Sequence, residues 1–141
     1  MIANRGNHAT PFASAPNAGD IVDAIGKAIY APDPGAEQFF GIPLQEFKGF
    51  VYSSDCLLHW GCDEAFDDGS SILHFDVGNR VRLIADKPPR NHSNLLHDPE
   101  TLRDVWLDAD EFYGVLERWK NSFEAEWKAM SKIPKLEDGA E

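Results

Sequence analysis

The longest periodic run of apolar positions lies near the C-terminus. Phe112, Val115, Leu116, Trp119, Phe123, Trp127 and Met130 share one helical stripe over roughly five turns. Asp108 and Glu111 are spaced as an N-cap and a capping-box carboxylate, Asp110 adds charge where the helix dipole favours it, and Pro134 marks the end. An aromatic stripe of this kind predicts core, packed on one face of an antiparallel sheet. A second, shorter helix is expected from Asp20 as N-cap, with Asp23 three residues on and Ile21, Val22, Ile25, Ala28 and Ile29 on its buried side; Pro32 and Pro34 stop it near Tyr30.

The strands read less cleanly. Residues 47–52 and about 55–61 carry aromatic and β-favouring content after an irregular "FFGIPLQEF". "SSILHFDVGNRVRLIAD" is a hairpin with two possible registers. A two-residue Gly78-Asn79 turn sets Val77 opposite Arg80 and Phe75 opposite Arg82, mixing apolar and charged groups on each face. A three-residue loop of Val77, Gly78 and Asn79 instead matches Phe75 with Val81 and Leu73 with Leu83, and is the expected arrangement, with Asn79 left-handed. A polar connection from Asp86 leads to "LRDVWLD", a short strand joined directly to the long helix. The fold class is thus α+β: an antiparallel sheet, a long C-terminal amphipathic helix on one face, and a shorter N-terminal helix. Residues 1–19, rich in Ala, Asn, Pro, Gly and Ser, read as a flexible tail, 20–134 as a single domain, and 135–141 as a second tail.

Composition narrows the function. The chain has 141 residues, 43% hydrophobic, enough for a core without staples, and no apolar run of the ~18 residues a membrane helix needs. The first 20 residues lack the apolar stretch of a secretory signal, so a cytoplasmic protein is expected. There are 24 acidic against 13 basic residues, a net charge of −11. Such an excess repels nucleic acid and anionic membranes and attracts a basic macromolecule. Between Lys48 and Arg80 no lysine or arginine interrupts Asp55, Asp63, Glu64, Asp67, Asp68 and Asp76.

Candidate chemistry is sparse. In "DCLLHWGCD" Cys56, His59 and Cys62 recur every three residues, but on a strand His59 points away from both cysteines, and no second ligand pair follows. No metal site, cofactor or catalytic residue is therefore expected. His74-Phe75-Asp76 is an isolated H-x-D facing solvent in the expected register, and neither a phosphate-binding glycine loop nor a nucleophile elbow occurs.

From about Asp68 to Lys128 the chain runs "DDGSSILHFDVGNRVRLIAD" and then "LRDVWLDADEFYGVLERWKNSFEAEW". This strand-then-helix pattern, with "DEFY" and a Trp-bearing amphipathic helix, resembles small bacterial immunity proteins of polymorphic-toxin and contact-dependent inhibition systems. The resemblance implies an acidic α+β domain that binds and blocks one cognate toxin domain, and it transfers no individual residue. Charge points the same way, since carboxylates presented where phosphates would lie can fill the basic cleft of a toxin that cleaves nucleic acid. An acidic chaperone for a secreted effector is the alternative, followed by a small enzyme of unknown reaction. Two partner-binding patches are expected. One is the loop from Cys62 to Gly69, where Asp63, Glu64, Asp67 and Asp68 surround Phe66; the other is Trp106, flanked by Asp104 and Asp108 and outward-facing if Val105 and Leu107 meet the helix.

Overall fold

A computed structural model describes residues 5–6, 8–30, 39–54, 56–58, 71–87 and 97–132. The elements run in the order α1 (Ala18–Tyr30), α2 (Leu44–Ser53), β1 (Leu57–Leu58), β2 (Ser71–Val77), β3 (Arg80–Asp86), β4 (Arg103–Asp108) and α3 (Ala109–Ser131). The strands form one antiparallel sheet in sequence order. The α+β class, the long C-terminal helix and the shorter N-terminal one are as the sequence predicts.

Local chemistry explains the helix starts. Asp108 caps α3, its carboxylate accepting from the Glu111 backbone N–H at 3.0 Å. α1 begins three residues earlier than expected because Asn17, not Asp20, is the cap; its side-chain oxygen accepts from Gly19 N–H at 2.9 Å. Asp23 reaches outside its own helix, where its carboxylate accepts from the backbone N–H of His97 at 2.7 Å and meets the same residue's Nδ1 at 2.9 Å. This ties α1 to the segment that leads into β4.

Residues 47–52, expected as a strand, are helical. Leu44, Phe47 and Val51 are spaced i, i+3, i+7, and Phe47 and Val51 are buried against α1 and Phe12. That spacing is the 3.6-residue period, which outweighs the β preference of isolated aromatics. Strand structure in 55–61 is confined, among the described residues, to Leu57 and Leu58.

The hairpin takes the register that the alternation of side chains disfavours. Phe75 pairs with Arg82, Asp76 with Val81 and Val77 with Arg80, around a two-residue turn in which Gly78 has φ 59°. A first turn residue with positive φ is what a II′ turn requires, and glycine supplies it without a Cβ clash. Asn79 keeps its place by accepting the Ala109 N–H at 2.9 Å, which links the turn to the start of α3.

This register gives the sheet two unlike faces, because cross-strand partners share a face. Leu73, Phe75 and Ile84 join Phe12, α1 and α2 in the larger core; Val81 and Leu83 meet Ala109, Phe112, Tyr113 and Leu116 of α3 on the other side. The segment preceding α1, read from sequence as a loose tail, contributes His8, Phe12 and Ala13 to the buried interior. Phe12 stands edge-on to Phe75 with centroids 5.8 Å apart, and the His8 carbonyl accepts the Asp76 N–H at 3.2 Å. The segment thereby covers the edge of β2 beyond the short β1, where an open row of donors and acceptors would otherwise face water.

Candidate functional site

β4 is the outer strand, and its side chains at 104 and 106 lie on the face opposite α3, in line with Ile84 and Arg82 of β3. Arg82 is fully buried. Its Nε and Nη2 donate to the two carboxylate oxygens of Asp104, both at 2.9 Å, and Nη1 donates to the carbonyls of Ala13 at 2.9 Å and Ala15 at 2.6 Å. The indole of Trp106 lies against two guanidiniums, with the Arg82 Cζ 4.7 Å and the Arg80 Cζ 4.8 Å from its centroid. Trp106 therefore lies on the sheet face away from α3, which Ile84 shares, half-buried between the two cations. Asp104 is committed to Arg82, so its charge is largely answered within the chain.

Beneath α3 lies a polar cluster that the expected register placed in solvent. His74 and Asp76 are buried. The Tyr113 hydroxyl donates to Asp76 Oδ1 at 2.6 Å and stands 3.2 Å from His74 Nε2. Since the hydroxyl proton goes to Asp76, His74 Nε2 carries a proton of its own and donates to the tyrosine oxygen. Asp76 Oδ2 accepts from the backbone N–H groups of Gly6 at 2.8 Å and His8 at 3.3 Å, and the His8 ring stacks on His74 at 4.3 Å. Arg5 completes the layer, paired with Asp110 at 2.7 Å and over the Tyr113 ring.

Burial, and after it the neighbouring His8, lowers the His74 pKa to about 4, against a smaller opposing pull from Asp76. Burial and the bond to Asp76 push the Tyr113 hydroxyl well above its ordinary range. At pH 7 the cluster therefore holds a neutral imidazole and a protonated phenol against Asp76, between α3 and the N-terminal segment. Chemically it is a lock. It holds Gly6 and His8 to the sheet through Asp76. Tyr113→Phe strands one acceptor on Asp76 and one donor on His74, and is expected to cost about 1–3 kcal/mol in urea unfolding. A loss below the scatter of replicate titrations would mean that water replaces the hydroxyl.

Asp63, Glu64, Phe66, Asp67 and Asp68 lie outside the described residues, as do His59 and Cys62 of the cysteine-histidine motif. Cys56 is buried, its thiol directed at the Val51 carbonyl at 3.7 Å.

A further surface emerges on α3. Phe112, Tyr113 and Leu116 reach the sheet, whereas Val115, Trp119, Phe123, Trp127 and Met130 are all more than half exposed. The stripe predicted as core is core only in its first two turns. The reason is length: a helix of 23 residues spans about 35 Å, while strands of 7 residues span about 23 Å. The hairpin's residue count already contained that mismatch.

No curated protein and no solved structure matches the chain. The sequence model of one family, described as immunity protein 42, matches residues 1–122, which takes in the N-terminal segment, both smaller helices, the whole sheet and about the first four turns of α3. The match extends the resemblance seen between Asp68 and Lys128 back through the first 67 residues, and the chain belongs to the immunity protein 42 family.

Proposed function

We propose that this immunity protein neutralises a basic toxin domain, of the kind that acts on nucleic acid, by laying carboxylates into the toxin's cationic cleft. It works by binding and not by catalysis, in the cytoplasm of a bacterium that carries the toxin in a polymorphic-toxin or contact-dependent inhibition system. The observation that carries this reading is the charge of −11 in a member of an immunity family. A field of that sign speeds the approach of a cationic partner and weakens binding to anything acidic.

The proposed contact set is the loop carrying Asp63, Glu64, Asp67 and Asp68 around Phe66. Asp104 and Trp106 on β4 are proposed as a second contact: the pairing of Asp104 with Arg82 leaves the indole as the larger contribution there.

Binding to the cognate toxin domain is the test. With Asp63→Lys and Asp67→Lys combined, association is expected to slow about tenfold or more, and the wild-type rate to fall steeply once salt brings the screening length to about 10 Å. Phe66→Ala is expected to act on dissociation instead, as an anchor does. A complex whose association rate ignores both salt and the paired reversal would sink the acidic-decoy mechanism. A chaperone that holds an effector along an apolar surface would give that result.

A further inference from the structure

We propose that the outer half of α3 is a self-association surface, on which a second copy of this chain docks antiparallel about a two-fold axis near Phe123. Val115, Trp119, Phe123, Trp127 and Met130 follow one another at steps of four, four, four and three residues, and each is between 51% and 65% exposed. Their rings are already ordered into a ladder: Trp119 stacks on Phe123 at 5.5 Å and Phe123 on Trp127 at 6.1 Å.

Size argues that this surface is covered. At about 200 Å² per large side chain, the exposed fractions amount to roughly 600 Å² of bare apolar area. That is at the upper limit of the patch an ordinary monomer shows, about 300–600 Å². It approaches the roughly 800 Å² per partner that a stable interface buries, and the stems of the flanking long side chains supply the remainder.

Charge selects the occupant. From residue 115 to 132 the helix carries three carboxylates, Glu117, Glu124 and Glu126, against four cations, Arg118, Lys120, Lys128 and Lys132. This stretch is slightly positive in a chain of net charge −11, so the entire acid excess resides elsewhere. A basic toxin gains nothing by approaching it. Two copies of this acidic protein, by contrast, can meet here without bringing their acid excess together.

The same charges set the orientation. In an antiparallel pair the equivalent flanks of the two stripes face each other. Lys120 and Glu124 lie on one flank, 3.8 Å apart within the helix, and with the axis near Phe123 each lysine also reaches the partner's Glu124. Antiparallel docking places the two acidic bodies at opposite ends of the helix pair, whereas a parallel pair crowds them at one end.

The full-length chain tests this by light scattering and sedimentation over a concentration series. The mass is expected to rise to twice 15.7 kDa. Phe123→Glu and Trp127→Glu should each weaken association at least tenfold with an unchanged far-UV spectrum, because both side chains are exposed. Lys120→Glu alone should weaken it, and Lys120→Glu combined with Glu124→Lys should restore it. A monomer at every concentration overturns the proposal, as does a dimer indifferent to Phe123→Glu or a charge swap without rescue. If Phe123→Glu abolishes capture of the toxin domain and leaves the mass unchanged, the stripe is a toxin contact and the proposal fails while the immunity function stands.

Discussion

Arg82→Ala is expected to remove about 3–5 kcal/mol of unfolding free energy, the loss typical of a buried ion pair deprived of one member. The guanidinium is fully buried and gathers three things at once: the Asp104 carboxylate, the Ala13 and Ala15 carbonyls, and the Trp106 ring. Truncation leaves both carbonyls without that donor and opens a cavity beside Phe75, its cross-strand partner. Asp104 can recover part of its hydration, since its side chain is 28% exposed, so most of the loss comes from the buried end. Asp104→Asn keeps one acceptor and should cost less, about 1–2 kcal/mol.

Urea unfolding followed by tryptophan fluorescence gives both values, and Trp106, stacked on the arginine, reports the local change directly. Should Arg82→Ala unfold within 1 kcal/mol of wild type, taken as about the scatter of ordinary substitutions, the arginine would be a passenger on a sheet held by its apolar residues alone.

The second large effect is on pH. His74 has a pKa of about 4 in the folded protein against 6.5 ordinarily, so between these values the unfolded chain binds more protons than the folded one. Stability from this residue is complete above pH 6.5, falls as the pH drops toward 4, and is lost below it. The full difference corresponds to about 3 kcal/mol.

The groups that surround the ring explain the direction. Burial is the main cause and the neighbouring His8 adds to it, while Asp76, which opposes them, already accepts from Tyr113, Gly6 and His8. Protonation would place a cation in a dry layer beneath α3. The check is the unfolding free energy of wild type and His74→Gln, measured from about pH 7.5 down to about pH 4.5. The wild type should lose stability over this interval faster than the variant, and parallel curves would show that the buried ring does not control the acid limb.

The helical parts of this fold were legible because their causes are local. Asp108 and Glu111 sit at capping distance in the sequence itself, and the α1 stripe ends where Pro32 and Pro34 forbid continuation. The hairpin was legible as a hairpin, since Gly78-Asn79 stands between two β-rich runs. Acid excess and the strand-then-helix pattern were enough to indicate the immunity class. α2 was misread because a ten-residue helix holding Phe47, Phe50 and Tyr52 carries the residue types of a strand, and only the spacing of Leu44, Phe47 and Val51 betrays it.

The register, the fate of Arg82 and the reach of α3 were decided by tertiary structure. An arginine alternating with apolar residues signals a solvent face unless something brings acceptors to it. Here the acceptors are the carbonyls of Ala13 and Ala15, 69 and 67 residues away in sequence, in a segment whose composition says only that it has no period of its own. With those in place Phe75 and Arg82 can share a buried face, and His74 and Asp76 turn inward to meet Tyr113. A hydrophobic stripe likewise states that a face avoids water and not what covers it. On α3 the sheet covers the first two turns, and its length leaves Trp119, Phe123, Trp127 and Met130 for another surface. Sequence alone determined which residues form the two amphipathic helices and where the charge excess lies, because caps, periods and composition act over a few residues. Tertiary structure alone decided which faces meet, because that depends on distant segments supplying partners at the right place.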